Sequence, residues 1–158
     1  VPAPCQNKRM KTNLLIPAVR PLFEAFLALL DKNGLRYSVL ETLRTQETQD
    51  AYYAQGRESF EEICRLRKIA GLYPIGKGEA GQVVTRAKHS LHQDGVAADI
   101  VPVLDGGKIP WVITSDNAEL WRTFGRLGQE AGLEWGGTWA PLDKFGIGWD
   151  APHYQKAL

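Results

Sequence analysis

Apolar positions recur at helical spacing in "PAVRPLFEAFLALLDKNG", where Leu22, Phe23, Phe26, Leu27 and Leu30 fall on one face. Gly34 stands where a left-handed cap would stop that helix. The pattern then shortens to alternation in "RYSVLETL", with Tyr37, Val39 and, less cleanly, Glu41 marking a short strand. Thr45 is placed to cap a helix through "QETQDAYYAQ" that Gly56 ends, and "ESFEEICRLRKIAG" gives Phe60, Ile63 and Leu66 a similar period up to Gly71. From Gly71 to Gln82 the text is glycine-rich, which is loop chemistry. Strands are expected again at "VVT" and "VAADIVPV", and "LDGG" reads as a turn before "KIPWVI". Asp116 with Glu119 three residues later resembles a helix start, which Leu120, Trp121, Phe124, Leu127 and Ala131 carry to Gly132. The tail, "LEWGGTWAPLDKFGIGWDAPHYQ", reads as short strands broken by glycine and proline. Helices and strands in blocks predict an α+β domain.

Length changes little in this picture: 158 residues suit one domain, residues 1–158, with residues 1–14 as an extended N-terminal segment. Charge excludes more. Nineteen basic residues against eighteen acidic ones leave no cationic field, so no nucleic-acid partner is expected. The longest apolar stretch, "LFEAFLALLD", carries Glu24 and falls short of the ~20 residues needed to cross a bilayer. Cys5 and Cys64 lack C-x-x-C spacing and argue for neither a thiolate zinc site nor a redox motif; whether they pair is open. The chain opens on Val1 without a charged-then-apolar leader, so no export signal is expected within it.

Chemistry concentrates in "HSLHQDGVAAD", residues 89–99, which packs two histidines and two carboxylates around one glycine. His92 and Asp99 are seven positions apart, ~10 Å as helix and ~23 Å as strand, whereas two ligands of one zinc ion each sit about 2 Å from it. Sharing an ion requires the chain to fold back, and Gly95 makes a tight reversal cheap. Ala97 and Asp99 then alternate onto one face of the following strand, with small Ala97 leaving room. A catalytic zinc usually takes three protein ligands and keeps a fourth position for water. Of the remaining histidines, His89 would need a helical turn in "HSLH", while His153 arrives from the tail in "DAPHYQ" with Asp150 three residues before it. His153 is the better third ligand. Pro152 interrupts regular pairing and allows Asp150 to face the same centre, as a base beside the water.

"SLHQDGVAAD" fits the S-x-H-x-x-G-x-A-x-D signature and so resembles the LAS-type zinc peptidases, named for lysostaphin, the D-alanyl-D-alanine metallopeptidases and the sonic hedgehog amino-terminal domain. "EWGGTW" followed by "DAPHYQ" is similar to the closing motif of the L-alanyl-D-glutamate endopeptidase branch, found in phage endolysins and bacterial wall hydrolases. "ETLRTQETQ", through Arg44, Thr45 and Gln49, resembles the element that precedes them. Together these cover roughly residues 15–155. The resemblance implies a small domain with a central, mainly antiparallel sheet flanked by helices and the metal site on the sheet. It implies one zinc ion on His92, Asp99 and His153, Asp150 as catalytic carboxylate and Arg44 as the arginine facing the substrate. Ser90 would brace the site, and Gln49 would bind substrate or support the site. The partner implied is a peptidoglycan stem peptide, met in the cell wall by a monomer, either exported or released as a phage lysin. The carboxypeptidase branch usually ends Glu-x-x-His; Asp-Ala-Pro-His here favours endopeptidase cleavage.

Zinc lowers the pKa of its water to about 7, Asp150 serves as base, and Arg44 shares the oxyanion charge. Trp135, Trp139 and Trp149 would wall the groove. Plainer roles compete: Arg44 as a surface partner of Glu41 or Glu47, Asp150 as a turn cap with Glu134 or Asp143 as base, and His89 as a solvated loop residue. Two further functions stay open: a D-alanyl-D-alanine carboxypeptidase of the same fold, and a zinc-stabilised binding module without catalysis.

Overall fold

Pro21 in its first turn starts helix α1, Arg20–Lys32, and Gly34, at φ +67°, follows its end. The N–H groups of Gly34 and Leu35 return to the Asp31 and Leu30 carbonyls, closing the left-handed stop expected there. The computed structural model describes residues 11–158. After α1 come β1 (Tyr37–Glu41), α2 (Gln46–Ala54), α3 (Phe60–Ile69), α4 (Lys77–Ala80), β2 (Ala97–Pro102), α5 (Ala118–Glu130), β3 (Glu134–Trp135) and β4 (His153–Gln155). The chain divides into two compact units, residues 11–43 with Gly95–Leu158, and Arg44–Asp94.

In the first unit the described strands form one antiparallel sheet in the order β1-β2-β4-β3. This is the α+β class and the mainly antiparallel sheet that the sequence implied. Central β2 is buried on both faces apart from Asp99, so it reads as a continuous apolar run rather than an alternating one. Phe23, Phe26 and Leu30 of α1 and Trp121, Phe124 and Leu127 of α5 supply the core. Tyr154 of β4 is fully buried, with its ring 4.6 Å from that of Phe26. Its hydroxyl has no hydrogen-bond partner among the described residues, and burial pushes its pKa well up.

The second unit is helical. Thr45 caps α2 through a bond from the Thr48 N–H, and α2 packs on α3 over Ala54, Ile63 and Ala80. Within the glycine-rich segment read as loop, α4 is a helical turn, held because Ala80 buries against that small core. Half-buried Cys64 lies on α3, and Cys5 lies outside the described residues.

Several expectations are corrected. "VVT" is not a strand: Val83 and Val84 are exposed, and the Val83 backbone presses against Gly56, whose φ of +81° leaves no space for a Cβ. "KIPWVI" is not one either, since Pro110 offers no N–H and its carbonyl is taken by the Trp121 indole at 3.2 Å. Helix α5 begins after Asn117, not at an Asp116 cap, because the Asn117 side chain binds back to the Thr114 N–H at 2.9 Å. Of the segment 1–14 expected to be extended, residues 1–10 lie outside the described residues. Residues 11–14 turn instead, with the Leu14 N–H on the Lys11 carbonyl and the Lys11 ammonium on the Val39 and Leu40 carbonyls.

A Cβ on Gly125 of α5 would fall 2.2 Å from the Trp135 ring, and that indole is pinned by its bond to the Ala151 carbonyl at 2.7 Å. Gly125→Ala gains ~1 kcal/mol of helix propensity. The clash outweighs it, for an expected net loss of about 1–3 kcal/mol. The urea midpoint of the variant checks this; an unchanged or higher midpoint would show that the indole yields.

Candidate metal centre

Strand register brings two of the expected ligands together. Asp99 lies directly opposite His153 in the β2–β4 pair, and His153 Nδ1 stands 3.4 Å from Asp99 Oδ1. Ahead of β4 the chain turns: the His153 N–H donates to the Asp150 carbonyl at 3.1 Å, and the Pro152 carbonyl accepts the Ile100 N–H at 2.9 Å. Asp150 Oδ2 consequently lies 4.0 Å from the same His153 Nδ1. Pro152 produces the bend its ring predicts, and a regular strand would have sent Asp150 to the other face.

His92 is set by its own turn. The Gln93 and Asp94 N–H groups bind the Ser90 and Leu91 carbonyls, and Ser90 Oγ accepts the His92 N–H at 3.3 Å. Gly95 follows with φ +69°, the left-handed reversal expected of it, and Ile16 stands 3.2 Å from where a Cβ would be. His92, Asp99 and His153 each offer one ligand atom, all within 4.8 Å of one another. Two imidazole nitrogens and one carboxylate oxygen suit zinc or a similar divalent ion, and both imidazoles are almost fully buried, at 2% and 6% exposure.

The surroundings favour a cation. Burial alone would lower the pKa of His153; the hydrogen bond to Asp99, the charges of Asp150 and Asp99, and the contact with Gln155 outweigh it and raise the value.

Arg44 is half-buried in the second unit, its N–H on the His92 carbonyl at 3.0 Å and its guanidinium on Gln49 Oε1 at 2.8 Å, with the Tyr52 ring 5.1 Å away. Gln49 is fully buried and anchors to the Ala87 carbonyl at 2.6 Å. His89 pairs with Asp94 at 2.8 Å on the surface and stands outside the three-ligand group. Asp143 is occupied in its own turn, accepting the Phe145 and Ile147 N–H groups. Trp139 tilts against His153 at 5.1 Å and against exposed Trp149 at 5.9 Å. Trp135 differs from expectation. It is buried, and its indole braces the Ala151 carbonyl beside Asp150 rather than walling a groove.

Sequence reasoning passed over Gln155 here and offered Glu134 only as a substitute base. Gln155 meets His153 Nε2 at 2.8 Å, and Glu134 binds Gln155 and the Trp139 indole at 3.0 and 2.9 Å. The available signal was the two-residue spacing in "HYQ", which puts His153 and Gln155 on one face of a strand. Glycines matter as well: a Cβ on Gly136 would lie 2.2 Å from the Asp150 carbonyl oxygen.

A peptidase M15 family model, described as D-alanyl-D-alanine carboxypeptidase, matches residues 84–156, the stretch containing all three candidate ligands and Asp150. Over those residues the chain is similar to the M15 peptidases. The chain shares a fold with the Serratia marcescens L-Ala D-Glu endopeptidase ChiX, at TM-score 0.54 and 21% identity over 96% of this chain and 86% of that one. The vancomycin resistance D,D-pentapeptidase VanY of the VanB-type cassette, solved with Zn(II), aligns at TM-score 0.49 and 21% identity over 89% and 71%.

A raised folded-state pKa means that the folded protein holds the His153 proton more tightly than the unfolded chain does. That stability is fully present below the ordinary value of 6.5 and is lost as pH rises through the raised one. Metal-free protein is therefore expected to melt at a lower temperature as pH climbs through that window, while zinc affinity climbs because the ion no longer displaces a proton. Melting curves with chelator and an NMR titration of the His153 ring check both; a His153 midpoint below 6.5 would contradict the sign.

Proposed function

We propose that the chain is a zinc peptidase that hydrolyses the L-alanyl-D-glutamate bond of peptidoglycan stem peptides. The observation carrying this reading is the grouping of buried His92 and His153 with half-buried Asp99, and a further carboxylate, Asp150, turned toward the same His153 nitrogen. A zinc ion on these ligands would acidify a water and polarise the scissile carbonyl. Asp150 would serve as the base that takes a proton from the attacking water and returns it to the leaving amine. Arg44, steadied by Gln49, meets a carboxylate of the stem peptide and favours developing negative charge. Half-buried Trp139 and exposed Trp149 supply an aromatic wall. Ser90 holds the turn that presents His92. One chain supplies every group, so residues 1–158 act as a single catalytic domain without a second subunit, and the place of action is the cell wall.

The likeness to the ChiX fold and the Asp-Ala-Pro-His ending favour internal cleavage. The description of the matching family favours a second reading, removal of the terminal D-alanine. Mass spectrometry of digested murein separates them. New amino termini on D-glutamate are expected, and release of single D-alanine would move the assignment to the carboxypeptidase.

Asp150→Asn is expected to keep one zinc per chain and to lose about 10²–10⁴-fold in hydrolysis rate. Metal analysis alongside murein turbidity checks this. Undiminished lysis would remove Asp150 from the chemistry, and absence of lysis in the unaltered protein would leave a zinc-stabilised binding module.

A further inference from the structure

His153 is bonded on both ring nitrogens, and the two sides differ in kind. Nδ1 faces the Asp99 and Asp150 carboxylates, whereas Nε2 meets the Gln155 side chain at 2.8 Å. A primary amide has an accepting end and a donating end, so which end faces His153 decides which ring nitrogen carries the proton. Glu134, the cross-strand partner of Gln155, settles the direction. Its carboxylate accepts the Gln155 Nε2–H at 3.0 Å through one oxygen and the Trp139 indole N–H at 2.9 Å through the other. An indole only donates and a carboxylate only accepts, so every link from Trp139 through Glu134 to Gln155 has one polarity. The amide oxygen is turned to His153, so in the neutral ring Nε2 carries the proton and Nδ1 presents its lone pair on the side of the Asp99 and Asp150 carboxylates.

We propose that Gln155 is a positioning residue that fixes His153 as a ligand through Nδ1, with Glu134 and Trp139 locking the amide in the orientation this requires. The consequence for a metal rests on the zinc reading above; the choice of tautomer does not. The network also accounts for Trp139, whose ring lies against His153 at 5.1 Å. Its indole holds the far end of the chain whose near end holds the imidazole. Partners of this kind typically contribute 10–100-fold to metal affinity.

The test combines long-range ¹H–¹⁵N correlation of the His153 ring with zinc competition titrations, on the full chain, for the unaltered protein, Gln155→Ala, and Gln155→Glu combined with Glu134→Gln. Metal-free, on the alkaline side of its titration, His153 is expected to carry its proton on Nε2, and zinc is expected to shift the Nδ1 resonance. Gln155→Ala should lose that preference, because Asp99 then draws the proton to Nδ1, and should bind zinc about 10–100-fold more weakly. Gln155→Glu, made together with Glu134→Gln so that an amide N–H again meets the new carboxylate, still accepts from Nε2–H and should keep the tautomer and most of the affinity, a rescue that a packing role would not give. A proton on Nδ1 in the unaltered metal-free protein overturns the proposal, and that measurement stands even if Gln155→Ala does not fold. So does a folded Gln155→Ala with unchanged tautomer and unchanged zinc affinity. If the tautomers come out as expected and no form binds zinc, the relay holds and the metal reading fails.

Discussion

Asp99 and His153 face one another because β2 and β4 pair in a register that sets them opposite, and residues with no chemistry of their own hold that register. A slip of one residue would turn every side chain on β4 to the other face of the sheet. Tyr154 guards against it. It is fully buried beside Phe26, and a Cβ on Gly128 would stand 2.5 Å from its ring, so α5 has a cleft at the one point where a large aromatic side chain must enter. With Tyr154 seated inward, its neighbours His153 and Gln155 point to the opposite face together. Packing on one side of the strand thereby fixes chemistry on the other.

Glycine performs the same service for Asp150. Gly136 lets the "EWGGTW" backbone lie against the Asp150 carbonyl, and Gly148 lets the following loop donate its N–H to the Gly137 carbonyl. The carboxylate is carried on a segment clamped from its own unit, with the buried Trp135 indole bonded to the adjacent Ala151 carbonyl. Two carboxylates directed at one buried imidazole form an electrostatic arrangement that calls for positive charge. A proton on His153 supplies it in part, and a divalent ion held by these groups would supply it more fully.

What could be read from the sequence divides along the range of the interactions involved. The α1 stop at Gly34, the Thr45 cap and the reversal at Gly95 each depend on a few neighbouring residues, and each was legible. The grouping of His92, Asp99 and His153 was legible because donor type and spacing restrict a metal site so tightly that Gly95 and Pro152 could be assigned their bends from the text. "VVT" and "KIPWVI" carry strand-like composition without strand partners, and composition cannot supply a partner. Trp135 shows the same limit: its neighbours in sequence include Trp139, which lies against His153, but its own ring is enclosed by Gly125 and Gly137, which only the tertiary structure reveals. Glu134 and Gln155 are twenty-one residues apart, and the bond joining them follows from β3–β4 pairing.

The central claim is that two imidazoles and a carboxylate grip one cation. X-ray absorption spectroscopy of the protein reconstituted with one equivalent of zinc tests it most directly. The account predicts a four-coordinate shell of nitrogen and oxygen near 2.0–2.1 Å with the outer-shell scattering of two imidazole rings. A shell of oxygen alone without imidazole scattering, or zinc that remains in the buffer, would contradict it.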